Sequence, residues 1–213
     1  MLDKLGGDSN LSERGECYSQ VLYDFVREKM EEDELLLKEM TQDGNEDQLN
    51  EHYSLKSLSV WTSTLRRTMQ TAAPLKGLCS TVMHWKALDE IDAGICEGMT
   101  YEQVKEQMPV EYYAREKDKF RYRYPRGESY LDMVFRIEPV ILELERQRNP
   151  VLIVGHQAVN RIMLTYLAGG KQEECTNIPI PLHTVIQIIP NAYGYTEKRF
   201  DLNDRVDAEL KRR

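Results

Sequence analysis

The sequence predicts an α/β domain built on a mostly parallel sheet. Val151-Leu152-Ile153-Val154 is a run of four aliphatics ended by Gly155. That is the pattern of a strand buried on both faces, as strands of parallel sheets are. A helix follows at once, with Val159, Ile162, Met163 and Tyr166 on one stripe. Leu58-Ser59-Val60-Trp61 repeats the arrangement, leading into a second helix from Arg66 to Pro74. Strand followed by helix, twice, is the signature of parallel crossover units.

The other elements take their places around these two. Gly6-Gly7-Asp8 reads as a turn, where backbone can approach a ligand closely or simply reverse direction. Ser9 or Ser12 can cap a helix that gathers Val21, Leu22, Phe25, Val26 and Met30. Residues 31–54 form an acidic and polar insertion, read as a helix extension running into a solvated loop that holds His52. Thr62 or Ser63 is a natural cap for the helix after Trp61. A short strand is predicted over His84–Leu88, then a helix from Thr100 to about Met108. A longer helix runs from Tyr130 to about Arg148, on Val134, Ile137, Ile141 and Leu144, and Pro139 should kink or divide it. Val185–Pro190 is a late strand, and His183 before it reads as structural.

The 213 residues are enough for one domain with a full core, so residues 1–213 are read as a single unit. A formal net charge of −8 argues against a general nucleic-acid or membrane binder. Cys17, Cys79, Cys96 and Cys175 are scattered, with no paired spacing, which favours reduced thiols in the cytoplasm over a metal site or a disulfide framework. No run approaches the length of a membrane span.

Four places could carry chemistry. His156 falls between a strand's carboxyl end and a helix N-terminus, where open α/β sheets bind ligands and where free N–H groups favour anions. The alternative is a buried structural histidine. Arg66 and Arg67 occupy the equivalent position after the other strand. Adjacent helical residues point about 100° apart, so only one of them can face a site. Asp89-Glu90-Ile91-Asp92 sets three carboxylates beside apolar groups. It is either a solvated turn or a site where a carboxyl keeps a proton to donate. Glu111–Arg126 is basic and tyrosine-rich, which suits a small anionic ligand better than nucleic acid in so acidic a chain.

Four longer stretches carry a resemblance. VWTSTLRRTMQTA, HWKALDEIDAGICEGMTYE, YYAREKDKFRYRYPRGESY and LIVGHQAVNR, in this order, resemble the phosphatase half of bifunctional 6-phosphofructo-2-kinase/fructose-2,6-bisphosphatase. That half is a histidine phosphatase, related to phosphoglycerate mutase. The resemblance covers about residues 5 to 202 and implies a three-layer α/β/α sandwich. It implies hydrolysis of the 2-phosphate of fructose 2,6-bisphosphate through a phosphohistidine, with no cofactor and no metal, in cytoplasmic control of glycolysis and gluconeogenesis. It assigns Arg67 and His156 to the transferred phosphoryl group and Glu90 to proton donation. Tyr101, Arg115, Lys119, Tyr130, Gln157 and Arg161 would hold the rest of the sugar phosphate, and Gly6 a backbone contact to it.

One part of the pattern has no counterpart. The family opens this domain with a strand ending in Arg-His-Gly-Glu, whose histidine is the nucleophile, and no Arg-His pair occurs in these 213 residues. The chain therefore reads as the domain incomplete at its N-terminus and without the kinase half. The resemblance places the absent strand centrally, between Leu58–Trp61 and Val151–Val154. Such a chain could act as a non-catalytic sugar-phosphate-binding or regulatory module, as a homo-oligomer, or in association with an intact relative.

Overall fold

The computed structural model describes residues 4–41, 58–191 and 194–213. Residues 42–57, with His52 and most of the polar loop, lie outside the described residues. Strand β1 (Ser59–Thr62) is the centre of the sheet, pairing in parallel with β2 (Thr81–His84) on one side and β3 (Val151–Val154) on the other. Its adjacent residues Val60 and Trp61 are fully buried and point to opposite faces, as a strand's period of two requires. Each therefore anchors a different core.

On one face, Val60 packs with Val21, Leu22 and Phe25 of α1 (Glu13–Thr41), Leu75, and Val206 of α7 (Asn203–Leu210). On the other, Trp61 packs with Met133, Ile137 and Val140 of α5 (Tyr130–Arg146) and with Val159, Ile162 and Met163 of α6 (Gln157–Leu167). Helices cover both faces, giving the expected α/β/α sandwich. The remaining strands, β4 (Thr184–Asn191) and β5 (Gly194–Asp201), form a separate antiparallel pair. Among the described residues no helix is long and apolar enough to cross a membrane.

Several expectations are corrected. Leu58–Trp61 and Val151–Val154 do not flank a gap: Ser59 pairs with Val151 and Thr62 with Val154 in unbroken register. The burial expected of Val151–Val154 belongs to β1 instead, and β3 is only half-buried along its length. The other edge of β3 pairs with no strand among the described residues. A cavity of about 3150 Å³ runs there, lined by Val151–Val154 and by Val185–Pro190 of β4. Tyr166, expected on the buried stripe of α6, is exposed and bonds Glu145.

The strand expected over His84–Leu88 ends at His84, where its pairing with β1 ends, and Lys86–Leu88 is a 3₁₀ turn. β2 is an edge strand with Met83 exposed, so its alternation is weak. Pro139 does not divide α5. It lies on the exposed face of the helix with Phe135, four residues earlier, so the carbonyl it leaves unbonded can be solvated. Neither Thr62 nor Ser63 caps α2 (Arg66–Ala72), whose N-cap is Leu65. The Asp8 carboxylate, from the distant Gly-Gly-Asp turn, accepts from the Arg66 N–H at 2.7 Å instead.

Candidate active site

His156 is buried at the N-cap of α6, directly after β3. Its Nδ1 accepts from Arg67 Nε–H at 3.2 Å, and its Nε2 lies 2.8 Å from Ser63 Oγ. An acceptor Nδ1 places the proton on Nε2, so the neutral ring donates to Ser63. Burial pushes the ring's pKa down to about 3, and the Arg67 guanidinium adds to the shift. Strand geometry explains the meeting: β1 and β3 are parallel neighbours, so the turns after both open at the same end of the sheet. Ser63 and Arg67 follow one strand and His156 the other.

Of the two adjacent arginines, Arg67 is the inward one. Its Nη1 also donates to the Gly7 carbonyl at 2.6 Å, which brings the Gly6-Gly7 turn to the site. Arg66 points to solvent and pairs with Asp8. Gly6 itself holds a left-handed φ of 65° against the Glu97 side chain.

Glu90 is half-buried on the cavity wall. Its Oε1 accepts from its own neighbour Ile91 N at 3.0 Å and from Ala158 N in the first turn of α6 at 3.3 Å. The helix N-terminus thus receives a carboxyl from within the chain. Burial raises the Glu90 pKa, against the pull of the N–H groups and of Arg67. Asp89, one residue earlier, goes the other way. Burial alone would raise it, yet Lys86 and the Thr64 N–H and hydroxyl hold it below the ordinary range. Two adjacent carboxyls are thus shifted in opposite directions, Asp89 down among its donors and Glu90 up beside the cavity.

The basic segment supplies the far wall. Arg115, on α4 (Pro109–Lys117), donates to the hydroxyls of Tyr124 and Tyr101, both at 2.9 Å, and its guanidinium stacks 4.5 Å from the Tyr101 ring centre. Lys119 Nζ lies 5.9 Å from the Tyr130 ring centre and donates to the Thr176 carbonyl. Arg161 donates to Tyr130 Oη at 3.1 Å and to the Ile178 carbonyl, so it joins this cluster rather than His156. Burial, and then Arg115 and Arg161, push the Lys119 pKa down to about 8. Glu116 pairs with Arg115 at 3.3 Å but does not offset the repulsion at Lys119, which an anion between the three cations would relieve.

All ten residues singled out in the sequence line the same cavity: Arg67, His156 and Glu90, with Gly6, Tyr101, Arg115, Lys119, Tyr130, Gln157 and Arg161. The other cations of the basic segment point elsewhere. Arg121 pairs with Asp118 and Glu173, and Arg123 with Asp132. Ser63, read from the sequence only as a helix cap, and Tyr124, read only as part of the tyrosine-rich segment, bond His156 and Arg115, while Glu128 and Arg136, which no sequence pattern singled out, bond the Asp89–Asp92 turn. Of these, Ser63 sits at a strand end beside Arg67, a position that could have singled it out.

The sequence profile of the histidine phosphatase superfamily (branch 1) matches residues 45–203. The chain belongs to that superfamily. It is 46% identical over 201 residues to a 6-phosphofructo-2-kinase/fructose-2,6-bisphosphatase of Arabidopsis thaliana, covering 94% of this chain and 24% of the relative. It is 48% identical over 193 residues to a fructose-2,6-bisphosphatase of Saccharomyces cerevisiae, covering 90% of this chain and 36% of the relative. This histidine phosphatase thus spans about a quarter to a third of the relatives it matches. The fold recurs in an α-ribazole phosphatase from Shigella flexneri, with a TM-score of 0.68 at 20% identity over 93% of this chain and 88% of that one.

Proposed function

We propose that this chain forms the sugar-phosphate site of a fructose-2,6-bisphosphatase, and that with the nucleophilic strand in place it hydrolyses the 2-phosphate of fructose 2,6-bisphosphate. The observation that carries this is one cavity with two differently built ends. At one end Arg67 and His156 are bonded to each other beside a carboxyl whose pKa is raised. At the other, Arg115, Lys119 and Arg161 stand among tyrosine hydroxyls. In the reaction a histidine nitrogen attacks phosphorus, the P–O bond to C2 of the sugar breaks, and Glu90 gives the leaving oxygen its proton. Water then splits the phosphohistidine. Arg67 and the His156 ring stabilise charge on the transferred oxygens.

Binding by the basic end needs no nucleophile. Calorimetry with fructose 6-phosphate should show binding that weakens on the order of ten- to a hundredfold in Arg115→Ala, as expected for one charge-assisted hydrogen bond of about 1.5–3 kcal/mol. Equal affinity in the two proteins would remove the cluster from the site. Binding should also depend on pH through Lys119. Its ammonium is present below about pH 8 and lost above. An anion favours the charged form, so affinity is expected to fall between pH 7 and pH 9, and Lys119→Met should flatten that fall. An unchanged slope in the variant assigns the titration to another group.

The second reading is a non-catalytic sugar-phosphate-binding or regulatory module in the cytoplasm, supported by the cation and tyrosine cluster, whose bonds need no nucleophile. Binding without turnover in the natural protein separates it from the first. A nucleic-acid role has less support, because Arg121 and Arg123 are already paired with acids. Binding to nucleic acid that falls steeply with salt would revive it.

A further inference from the structure

The turn that carries Glu90 is anchored on either side by Leu88 and Ala93 in the core, and a guanidinium from another element grips its backbone. Arg136, in the second turn of α5, is three-quarters buried, with 22% of its side chain exposed. Its Nη1 donates to the carbonyls of Ala87 at 2.8 Å and Asp89 at 3.0 Å, and grazes that of Lys86. Its Nε and Nη2 form a two-pronged pair with Glu128, at 2.8 and 2.9 Å. Glu128 reaches the same turn from the other side. Its Oε2 accepts from Asp92 N at 3.1 Å, while its own N–H donates to the Asp92 carbonyl at 2.8 Å.

The backbone has been cleared for this contact. A Cβ on Gly94 would lie 2.1 Å from the Pro125 carbonyl oxygen, and one on Gly127 would lie 2.3 Å from that of Asp92. Segments 92–94 and 125–127 therefore lie backbone against backbone. Glu90 sits between the two gripped stretches, Ala87–Asp89 on one side and Asp92 on the other. From there its carboxyl reaches Ala158 N at 3.3 Å.

We propose that Arg136 and Glu128 are positioning residues for Glu90, a clamp that fixes the acidic turn so that this carboxyl stays against the α6 N-terminus and inside the cavity. The clamp rests on the reading of Glu90 as proton donor but touches no substrate. A planar, two-pronged donor is needed because one face must bind a carboxylate while the third nitrogen spans two carbonyls, which an ammonium cannot do. Pairing with Glu128 has a second consequence: the charge of Arg136 is compensated beside an acid that must keep its proton.

Two variants separate positioning from mere stabilisation. Arg136→Lys keeps the charge and loses the geometry, and Glu128→Gln keeps the shape and leaves Arg136 uncompensated. In ¹³C-detected titration of the ligand-free protein, both should move the Glu90 midpoint down toward the ordinary carboxylate range. Amide exchange at Ile91 and Asp92 should rise on the order of tenfold or more, a local opening, while the buried Ile162 amide stays protected. An unmoved Glu90 titration in variants that keep Ile162 protected would overturn the proposal. So would exchange that rises equally throughout the domain. The readout needs no turnover, so the clamp can fail or stand by itself. If Glu90→Gln leaves hydrolysis untouched in a chain completed with the nucleophilic strand, the donor role falls and the clamp does not.

Discussion

Incubated with fructose 2,6-bisphosphate, the 213-residue chain is expected to release phosphate on the order of 10⁶-fold more slowly than a relative with an intact Arg-His-Gly-Glu strand. That is the loss measured when a hydrolase of another class is deprived of its nucleophile, because the groups that remain act only as a unit with it. The residues proposed to act with the nucleophile lie together here. Arg67 and His156 are bonded, and Glu90 has its pKa raised. His156 is not expected to substitute as nucleophile, because its Nδ1 lone pair accepts from Arg67 and its Nε2 is bonded to Ser63. Either phosphate release near the rate of an intact relative, or a phosphohistidine trapped at His156, would show the reasoning to be wrong. A chimera that adds the family's first strand should recover activity, and Glu90→Gln in that chimera should lower it again.

The parts of this site legible in the sequence were those carried by local pattern. Four aliphatics, a glycine and a histidine put His156 at a strand end, and the same grammar put Arg66 and Arg67 at another. Which arginine faced inward was not legible from the spacing. The structure decides it through Gly7, whose carbonyl takes one guanidinium, and Asp8, whose carboxylate takes the backbone N–H and side chain of the other. Those contacts join residues 58 to 60 apart, a separation no window of sequence spans.

What escaped was set by edges and by long-range bonds. Val151–Val154 has the composition of a doubly buried strand yet is half-exposed, because composition records the environment a strand is suited to and not the neighbour present beside it. Tyr195–Arg199 lies in β5 and went unread, since its polar alternation resembles a loop until it is paired with Ile186–Pro190. Arg136 was invisible for a related reason. An arginine on the polar flank of a helix looks solvated until the carbonyls of Ala87 and Asp89 are brought to it.

The largest expected effect on stability also lies at the edge of β3. Its N–H and C=O groups on the side away from β1 meet no described strand, and the apolar residues of β3 and of β4 line the same cavity. Unpaired strand edges beside apolar side chains invite pairing or aggregation. One extended segment with alternating apolar residues can bond to β3 and fill the space toward β4. The central Leu58–Trp61 edges need no such rescue, being already paired. A peptide with the sequence of the family's Arg-His-Gly-Glu strand is therefore expected to stabilise the chain. Saturated to a hundred times its dissociation constant it would add about 2.7 kcal/mol, which for a domain of this size raises the melting temperature by roughly 5–10 °C. A peptide of the same composition in scrambled order should not. Without peptide, the chain should unfold over a broad urea range and self-associate at high concentration. A sharp two-state transition with a monomeric elution volume, indifferent to the peptide, would mean that β3 and β4 are stable as open edges and that the groove takes no strand.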